Sequence, residues 1–267
     1  MDHCLPALPN GEGSALLSDG NDEVRLDDRS EQFHILPAAT PQLLEEVYRL
    51  RFQVYCVENK FEKPNNRHPG LEIDEYDSHS VHSLLIHKPS GIAFGTVRLV
   101  LADRGAADRP LPMQRRCAFS VMQNTPNTSM AEISRFAISR HVRRLVAERM
   151  RSSVASTDLQ CKLSPKVGGM DPLIPVWLMR AILRMSIEND VTHLCGIMEP
   201  ALIRLLARLG IFFSPIGPLI EHHGRRQPCH SSIASILSGV RTRRRDVWNI
   251  LTDHGGLARG VGAMIAA

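Results

Sequence analysis

The segment Ala131-Glu132-Ile133-Ser134-Arg135-Phe136-Ala137-Ile138-Ser139 places a carboxylate, a hydroxyl and a guanidinium among apolar and small residues. Its length and its interspersed Ile and Phe predict a strand. A core strand has no packing reason to carry two charges, so each must meet a partner or line a cavity. One outcome is a structural ion pair within the sheet. The other is a polar site in mid-sheet, with Glu132 and Ser134 as the candidate catalytic residues and Glu132 as a base or a cation-binding group. Strict alternation puts Glu132, Ser134, Phe136 and Ile138 on one face, and Ile133 and Arg135 on the other.

Other charges are available to meet them. Arg98 stands inside the apolar run Gly95-Thr96-Val97-Arg98-Leu99-Val100 and needs a partner; Asp74, Asp77 and Glu132 can serve. The run Asp74-Glu75-Tyr76-Asp77 is either a solvated loop or a set of carboxylates that holds a cation or pins arginines. Arg51 lies four residues before Tyr55 on a helical pattern, so the two share a face, although a solvated helix charge is the plainer reading. His222-His223 and His82/His87 lack the carboxylate or cysteine spacing of a metal site, and none is expected.

These residues need elements to position them. Thr40-Pro41 starts a helix whose apolar residues Leu43, Leu44, Val47, Leu50, Val54 and Tyr55 carry it to about Glu58. An irregular loop follows from Phe61 to Ser80. Val81–His87 and Ile92–Leu101 form a hairpin across Lys88-Pro89-Ser90-Gly91. A linker over 102–130 leads into the Glu132 strand. The next helix has Val142, Leu145, Val146 and Met150 on one side and Arg140, Arg143, Arg144 and Arg149 on the other. After a polar insertion over 152–170, Asp171-Pro172 opens a largely buried helix through Trp177, Leu178, Ile182 and Leu183. Val191–Met198 is a strand, and Glu199-Pro200 opens a helix closed by Gly210. Ile211–Phe213 and Leu219–Glu221 are the last two strands. The chain beyond Gly224 is polar, then helical from Ile233 to Leu251 with the basic run Arg241, Arg243, Arg244 and Arg245 on an exposed face. This order predicts a three-layer α/β fold, a mixed central sheet with helices on both faces. Residues 1–32 read as a disordered tail, 33–228 as the domain and 229–267 as a helical extension.

Composition sets outer bounds. A chain of 267 residues with 43% hydrophobic content can bury one good-sized core. Its net charge of +4 is gathered in arginine clusters, which suits an acidic protein or a phosphate-bearing ligand better than nucleic acid. Six scattered cysteines with no C-x-x-C pair imply neither zinc nor a disulfide framework, and a reducing cytoplasm is the simpler setting. The start Met-Asp-His-Cys-Leu-Pro lacks a signal-peptide pattern, and no apolar run is long enough to span a bilayer.

Arg51, Tyr55 and Phe61, the pair Asp74-x-x-Asp77, Arg98 in Gly-x-x-Arg-Leu, and Glu132-x-Ser-Arg135 resemble, in order and spacing, the acyl-homoserine lactone autoinducer synthases, which have the GNAT acyltransferase fold. Arg-Phe-x-Val-Tyr-Cys-Val-Glu, Glu-Ile-Ser-Arg-Phe-Ala-Ile-Ser-Arg and Ile-Gly-Pro-Leu-Ile-Glu-His-His-Gly-x-Arg are more similar to a sister group, the PEP-CTERM/exosortase system-associated acyltransferases. The resemblance covers about residues 33–228. It implies that a fatty acyl group moves from an acyl carrier protein (or CoA) thioester to the amine of an amino acid or related small molecule, with no tightly bound cofactor. It also implies that Arg51, Asp74, Asp77, Arg98 and Arg135 form an ion-pair network which, with Tyr55 and Phe61, shapes the amine pocket. An Arg fork there could take a substrate carboxylate. Glu132 would accept the amine proton, directly or through a water. Backbone N–H groups where the strand splays would hold the oxyanion. A bulge near Ser134 would resolve the parity conflict by turning Arg135 to the face of Glu132.

Two departures qualify the resemblance. Phe61 stands where the lactone synthases have Trp, and Tyr55 where they have Phe, which counts against S-adenosylmethionine as acceptor. The segment Ser139-Arg140-His141-Val142-Arg143-Arg144 also lacks the Gly-rich loop with which CoA-using relatives bind pyrophosphate. A carrier-borne donor needs less of that cradle, and Arg140, Arg143, Arg144 and Arg149 either dock the acidic carrier or form a solvated face. The alternatives are an S-adenosylmethionine-using lactone synthase and a non-catalytic acyl-binding regulator.

Overall fold

The computed structural model describes residues 32–102, 111–117, 129–154 and 173–266. The expected tail, most of the 102–130 linker and most of the polar insertion lie outside them. In chain order the elements are β1 (Phe33–Pro37), α1 (Pro41–Phe52), β2 (Ser80–His87), β3 (Ile92–Leu101), α2 (Pro112–Arg116), β4 (Met130–Ile138), α3 (Arg140–Val154), α4 (Ile174–Glu188), β5 (His193–Met198), α5 (Pro200–Arg208), β6 (Ser214–Pro215), β7 (Ile220–Glu221), β8 (Arg225–Ser232), α6 (Ile233–Arg243), α7 (Arg245–Thr252) and α8 (Gly256–Ala266).

The sheet runs β1-β2-β3-β4-β5-β8-β6, with β7 paired to β8. Every pairing is antiparallel except β4 with β5. That parallel pairing ends at Glu132 opposite Cys195, while β4 continues to Ile138 and β5 to Met198. The two central strands therefore part immediately after Glu132. α1 packs Val47 and Leu50 on Leu84 of one face, and α3 lies on the same side through Val142. α4 covers the other face, where Val97, Leu99 and Ile133 join Trp177, Leu178 and Ile182 in the main core. This is the three-layer mixed fold that the element order predicts.

Several boundaries differ from expectation for local reasons. The first helix is α-wound only to Phe52; Gln53–Glu58 form a wider π turn, closed by the Asn59 N–H and Nδ2 on the Val54 carbonyl at 3.1 and 2.8 Å. Thr40 is the expected N-cap, its Oγ1 accepting the Leu43 N–H at 3.3 Å. The buried helix α4 opens on Ile174-Pro175, while Asp171 and Pro172 fall outside the described residues. Leu145 is exposed rather than packed, so the apolar side of α3 is narrower than its pattern suggested.

The larger miss is β8. Arg-Arg-Gln-Pro-Cys-His-Ser-Ser has neither alternation nor β-branched residues, and Pro228 cannot donate to a ladder. Even so it pairs with β5 over six residues, buries Cys229 and Ser231, and adds β6 on its other edge. Ile211–Phe213, expected as a strand, is not one; the pairing begins at Ser214. The expected boundary at residue 229 falls inside β8. α6, α7 and α8 share the main core through Ile233, Ile236, Val240, Val247, Leu251 and Val261, so they complete the layer over α4.

One close approach fixes that layer. Gly210 ends α5 with φ +85°, and a Cβ on Gly239 of α6 would lie 2.6 Å from its carbonyl oxygen and 3.0 Å from the Phe212 ring. The obstacle at Gly239 is backbone, so Gly239→Ala should cost about 1–3 kcal/mol as α6 is pushed away. A lower urea midpoint at unchanged m-value is the expected readout.

Candidate active site

The site lies on the α1 side of the sheet, beside the gap between β4 and β5. Arg98 faces Ser134 and Val100 faces Glu132 across the β3/β4 ladder, so Arg98, Ser134 and Glu132 project from one face. Between Ser134 and Ala137, which opposes Thr96, β4 carries one residue more than β3. This is the expected bulge. Arg135 takes a left-handed conformation there, φ +49°. The extra residue reverses the pleat, so Phe136 and Ile138 join the core on the other face instead of standing beside Glu132 as plain alternation had them. Arg135 thereby turns toward the site.

Three arginines from three elements meet three carboxylates from one loop. Arg51 of α1 is fully buried; its Nε reaches Glu72 at 2.5 Å and its two terminal nitrogens straddle Asp77 at 2.6 and 3.1 Å. Arg98 of β3 donates to Asp74 at 2.5 Å, to Asp77 at 2.8 Å and, through Nε, to the Ser134 hydroxyl at 2.8 Å. Arg135 of β4 donates to Glu72 at 2.6 Å and to Asp74 at 3.0 Å. A turn at Glu75–His79 shapes the loop. Asp74 caps it on the Tyr76 N–H while Asp77 accepts the Asp74 N–H, a reciprocal capping box. The acidic run is thus a clamp on arginines rather than a solvated loop. Burial pushes Glu72, Asp74 and Asp77 toward protonation, but the adjacent guanidiniums more than offset it and hold all three below the usual carboxylate range.

Arg51 and Arg98 are enclosed, 0% and 1% exposed, so neither presents its fork to a substrate. The opening is at Arg135, whose guanidinium lies 5.0 Å from the Tyr55 ring centroid. Phe61 adjoins Tyr55, with centroids 6.4 Å apart. Glu62 reaches Arg135 at 3.5 Å and His223 at 3.3 Å, and the His223 ring stacks on Phe61 at 5.1 Å. The β7–β8 turn thus lies against Phe61 and Glu62, and the partly exposed carboxylates beside Arg135 are Asp74 and Glu62.

Glu132 stands apart from the arginines. Among the described residues its hydrogen-bond partner is the Met113 N–H at 2.6 Å, not Arg98. Its surroundings are apolar, with Val100, Leu111, Met113, Met130 and Cys195 forming one cluster. Burial therefore dominates and raises its carboxyl to about 7, against the lowering effects of the Met113 N–H and of more distant Arg98. Past Glu132, β4 has no ladder partner on the β5 side, which leaves main-chain groups facing the gap.

Sequence reasoning singles out Glu132, Ser134, Arg51, Tyr55, Phe61, Asp74, Asp77, Arg98 and Arg135, and the structure brings all nine to this side of the sheet. It missed Glu72 and Glu62, which sit in a loop with no periodicity, and Met113, and it weighed His223 only as a metal ligand. The available signal for Glu72 was its place two residues before Asp74. His82, weighed there only as a metal ligand, stands opposite Arg98 with its Nε2 3.6 Å from Asp77, and burial keeps it neutral, its pKa lowered to about 4. Arg140, Arg143 and Arg144 are on α3, at the far end of β4, with Arg140 and Arg144 exposed; the Arg149 side chain lies outside the described residues. No group of three or more His, Cys, Asp or Glu among the described residues could hold a metal ion, and no helix among them is long and apolar enough to cross a membrane.

Comparison with known proteins agrees with this architecture. Residues 50–152 match the model of the acetyltransferase (GNAT) domain. No curated protein matches the chain. Among solved structures, the acyl-homoserine lactone synthase LasI is 19% identical with a TM-score of 0.52, over 78% of this chain and 96% of its own. FeeM, an N-acyl amino acid synthase from uncultured soil microbes, is 15% identical with a TM-score of 0.50, over 79% and 97%. BjaI, a CoA-dependent acyl-homoserine lactone synthase, is 17% identical with a TM-score of 0.50, over 86% and 98%. Residues 50–152 are thus similar to a GNAT acetyltransferase domain, and the chain shares the fold of these synthases.

Proposed function

We propose that the protein transfers a fatty acyl group from a thioester to the amine of an amino acid or a related small molecule. The observation that carries this reading is Glu132, a buried carboxyl held near neutrality where two central strands part, on the face that bears the arginine–carboxylate clamp. A thioester entering the gap brings its carbonyl beside Glu132. The amine nitrogen attacks that carbon while Glu132, directly or through one water, takes the amine proton. The oxyanion is met by main-chain N–H groups of β4 beyond Glu132, which need no reorganisation to receive it. Collapse expels the thiolate, and protonated Glu132 returns the proton to it. Ser134, fixed by Arg98, holds the strand in register rather than acting as nucleophile, since its hydroxyl already accepts from a buried guanidinium.

Asp74 and Glu62, beside Arg135, suit an acceptor that arrives as an ammonium and gives one proton to solvent before it attacks, and Arg135 is the arginine placed to meet its carboxylate. For the donor we favour acyl carrier protein. Arg140 and Arg144 are exposed at the end of β4, with exposed Leu145 and Val57 on α3 and the adjoining π turn, a basic and apolar mixture that fits an acidic partner. The likeness to exosortase-associated acyltransferases supports the same reading and a cytoplasmic site of action. The deciding experiment incubates the protein with acyl carrier thioesters and a panel of amino acids plus S-adenosylmethionine, follows thiol release, and identifies the product by mass spectrometry. An N-acyl amino acid is the expected product. A lactone would redirect the reading to the autoinducer synthases, and acyl binding without thiol release would overturn it in favour of a regulator.

A further inference from the structure

α3 begins directly after β4, at the far end of the gap that opens beside Glu132. From Glu132 to the head of α3 the strand spans on the order of 20 Å at about 3.3 Å per residue. A thioester arm lying along that edge therefore ends at the head of the helix. Helix N-termini bind phosphates because their first N–H groups are unpaired and aligned. At this one they are taken. Glu58, from the end of the π turn after α1, accepts the Arg140 N–H at 2.9 Å and the His141 N–H at 3.1 Å. It also accepts the Ser139 hydroxyl at 2.6 Å. Ser139 Oγ in turn accepts the Val142 N–H at 3.1 Å, and the Ser139 carbonyl accepts the Arg143 N–H at 3.1 Å. The first four N–H groups of α3 are thus satisfied from within the chain. The Glu58 carboxylate is nearly enclosed, 8% exposed, and the Arg140 side chain closes over it onto the Glu58 carbonyl at 3.0 Å. Burial alone would favour the neutral acid, but the hydroxyl and N–H donors outweigh it and hold the group ionised.

Resting on the acyl-transfer reading above, we propose that Glu58 is an internal anion that fills the diphosphate position at the head of α3 and so sets the donor preference against nucleotide-borne thioesters such as acyl-CoA. A diphosphate approaching this helix meets a carboxylate instead of free N–H groups, and like charges at contact repel. A donor whose arm is attached to a protein carries a single phosphodiester and gains its affinity from the protein surface, so it loses little by the plug.

The test uses the full chain, wild type and the variants Glu58→Ala and Glu58→Gln. Inorganic pyrophosphate and CoA binding are measured by calorimetry and thermal protection, and kcat/KM is compared for one acyl group carried on CoA and on carrier protein. Wild type is expected to show no pyrophosphate binding. Glu58→Ala should bind pyrophosphate and shift the CoA-to-carrier ratio of kcat/KM toward CoA by about tenfold or more, the scale of one or two charge-assisted hydrogen bonds. Glu58→Gln, which keeps an acceptor for the helix but removes the charge, should move the same way by less. Pyrophosphate binding by wild type, or a ratio and pyrophosphate affinity unchanged in both variants, would overturn the proposal. If Glu58→Ala fails to fold, the Glu58→Gln and wild-type measurements decide it. Absence of turnover with every donor would defeat the acyl-transfer reading, while the pyrophosphate arm still decides the role of Glu58.

Discussion

Replacing Glu132 by glutamine should lower kcat/KM by roughly 10²–10⁴, the range of a lost general base, with far less effect on acceptor binding. The pH profile carries the diagnosis. With its carboxyl raised to about 7, wild type should gain activity as pH rises through neutrality, because only the ionised form accepts a proton. Glu132→Gln should lose that limb. Stability should move the opposite way. A carboxyl near 4.5 when unfolded and about 7 when folded binds more protons in the folded state across that window. Its contribution is therefore fully present below pH 4.5 and is lost as pH rises to 7, by roughly 3 kcal/mol at 1.36 kcal/mol per unit. Glutamine keeps an acceptor for the Met113 N–H and carries no charge to desolvate. The inactive variant should thus be more stable than wild type in urea at pH 8, and the two should converge near pH 4. A variant that keeps the neutral-pH limb would remove Glu132 from the chemistry.

That residue was legible because a carboxylate in an apolar strand is conspicuous, and the parity conflict between Glu132 and Arg135 forecast the bulge that relieves it. Arg51, Arg98, Asp74 and Asp77 were legible for a related reason: arginines in apolar settings demand carboxylates, and one loop supplies two. The third, Glu72, could not be told from any other loop acid, since pairing with Arg51 and Arg135 depends on how the loop from Phe61 to Ser80 folds back over α1. Glu58 illustrates the same limit. It ends a helical pattern and looks like a solvated terminal acid, and only the meeting of the π turn with α3, more than eighty residues on, gives it a role. Strand β8 was hidden because its ladders with β5 and β6, rather than its own apolar content, hold it in the sheet.

Removing one member of the arginine–carboxylate clamp should cost more than removing any single apolar contact. Arg51→Met leaves Glu72 without its 2.5 Å partner and Asp77 without its bidentate one, both in a nearly dry setting. Breaking a buried pair by deleting one partner costs about 3–5 kcal/mol, because the remaining charge stays desolvated. Arg51→Lys keeps the charge but cannot bridge Glu72 and Asp77 together, and should fall between the two. The pH dependence follows from the same contacts. Glu72, Asp74 and Asp77 all have carboxyls depressed below their ordinary values, so the unfolded chain binds more protons than the folded one as pH falls. Their stabilisation is complete above the unfolded values near pH 4 and drains away as acid titrates the folded groups. Wild type should therefore lose stability steeply below pH 4. Arg51→Met should start lower at pH 7 and fall less on acidification, because Glu72 keeps only Arg135 and Asp77 only Arg98, so both have less depression to lose. Urea midpoints for the three proteins at pH 7, 5 and 3 measure this directly. A variant within about 1 kcal/mol of wild type at pH 7, with the same acid slope, would mean that the clamp is held by Arg98 and Arg135 alone and that Arg51 is a passenger in it.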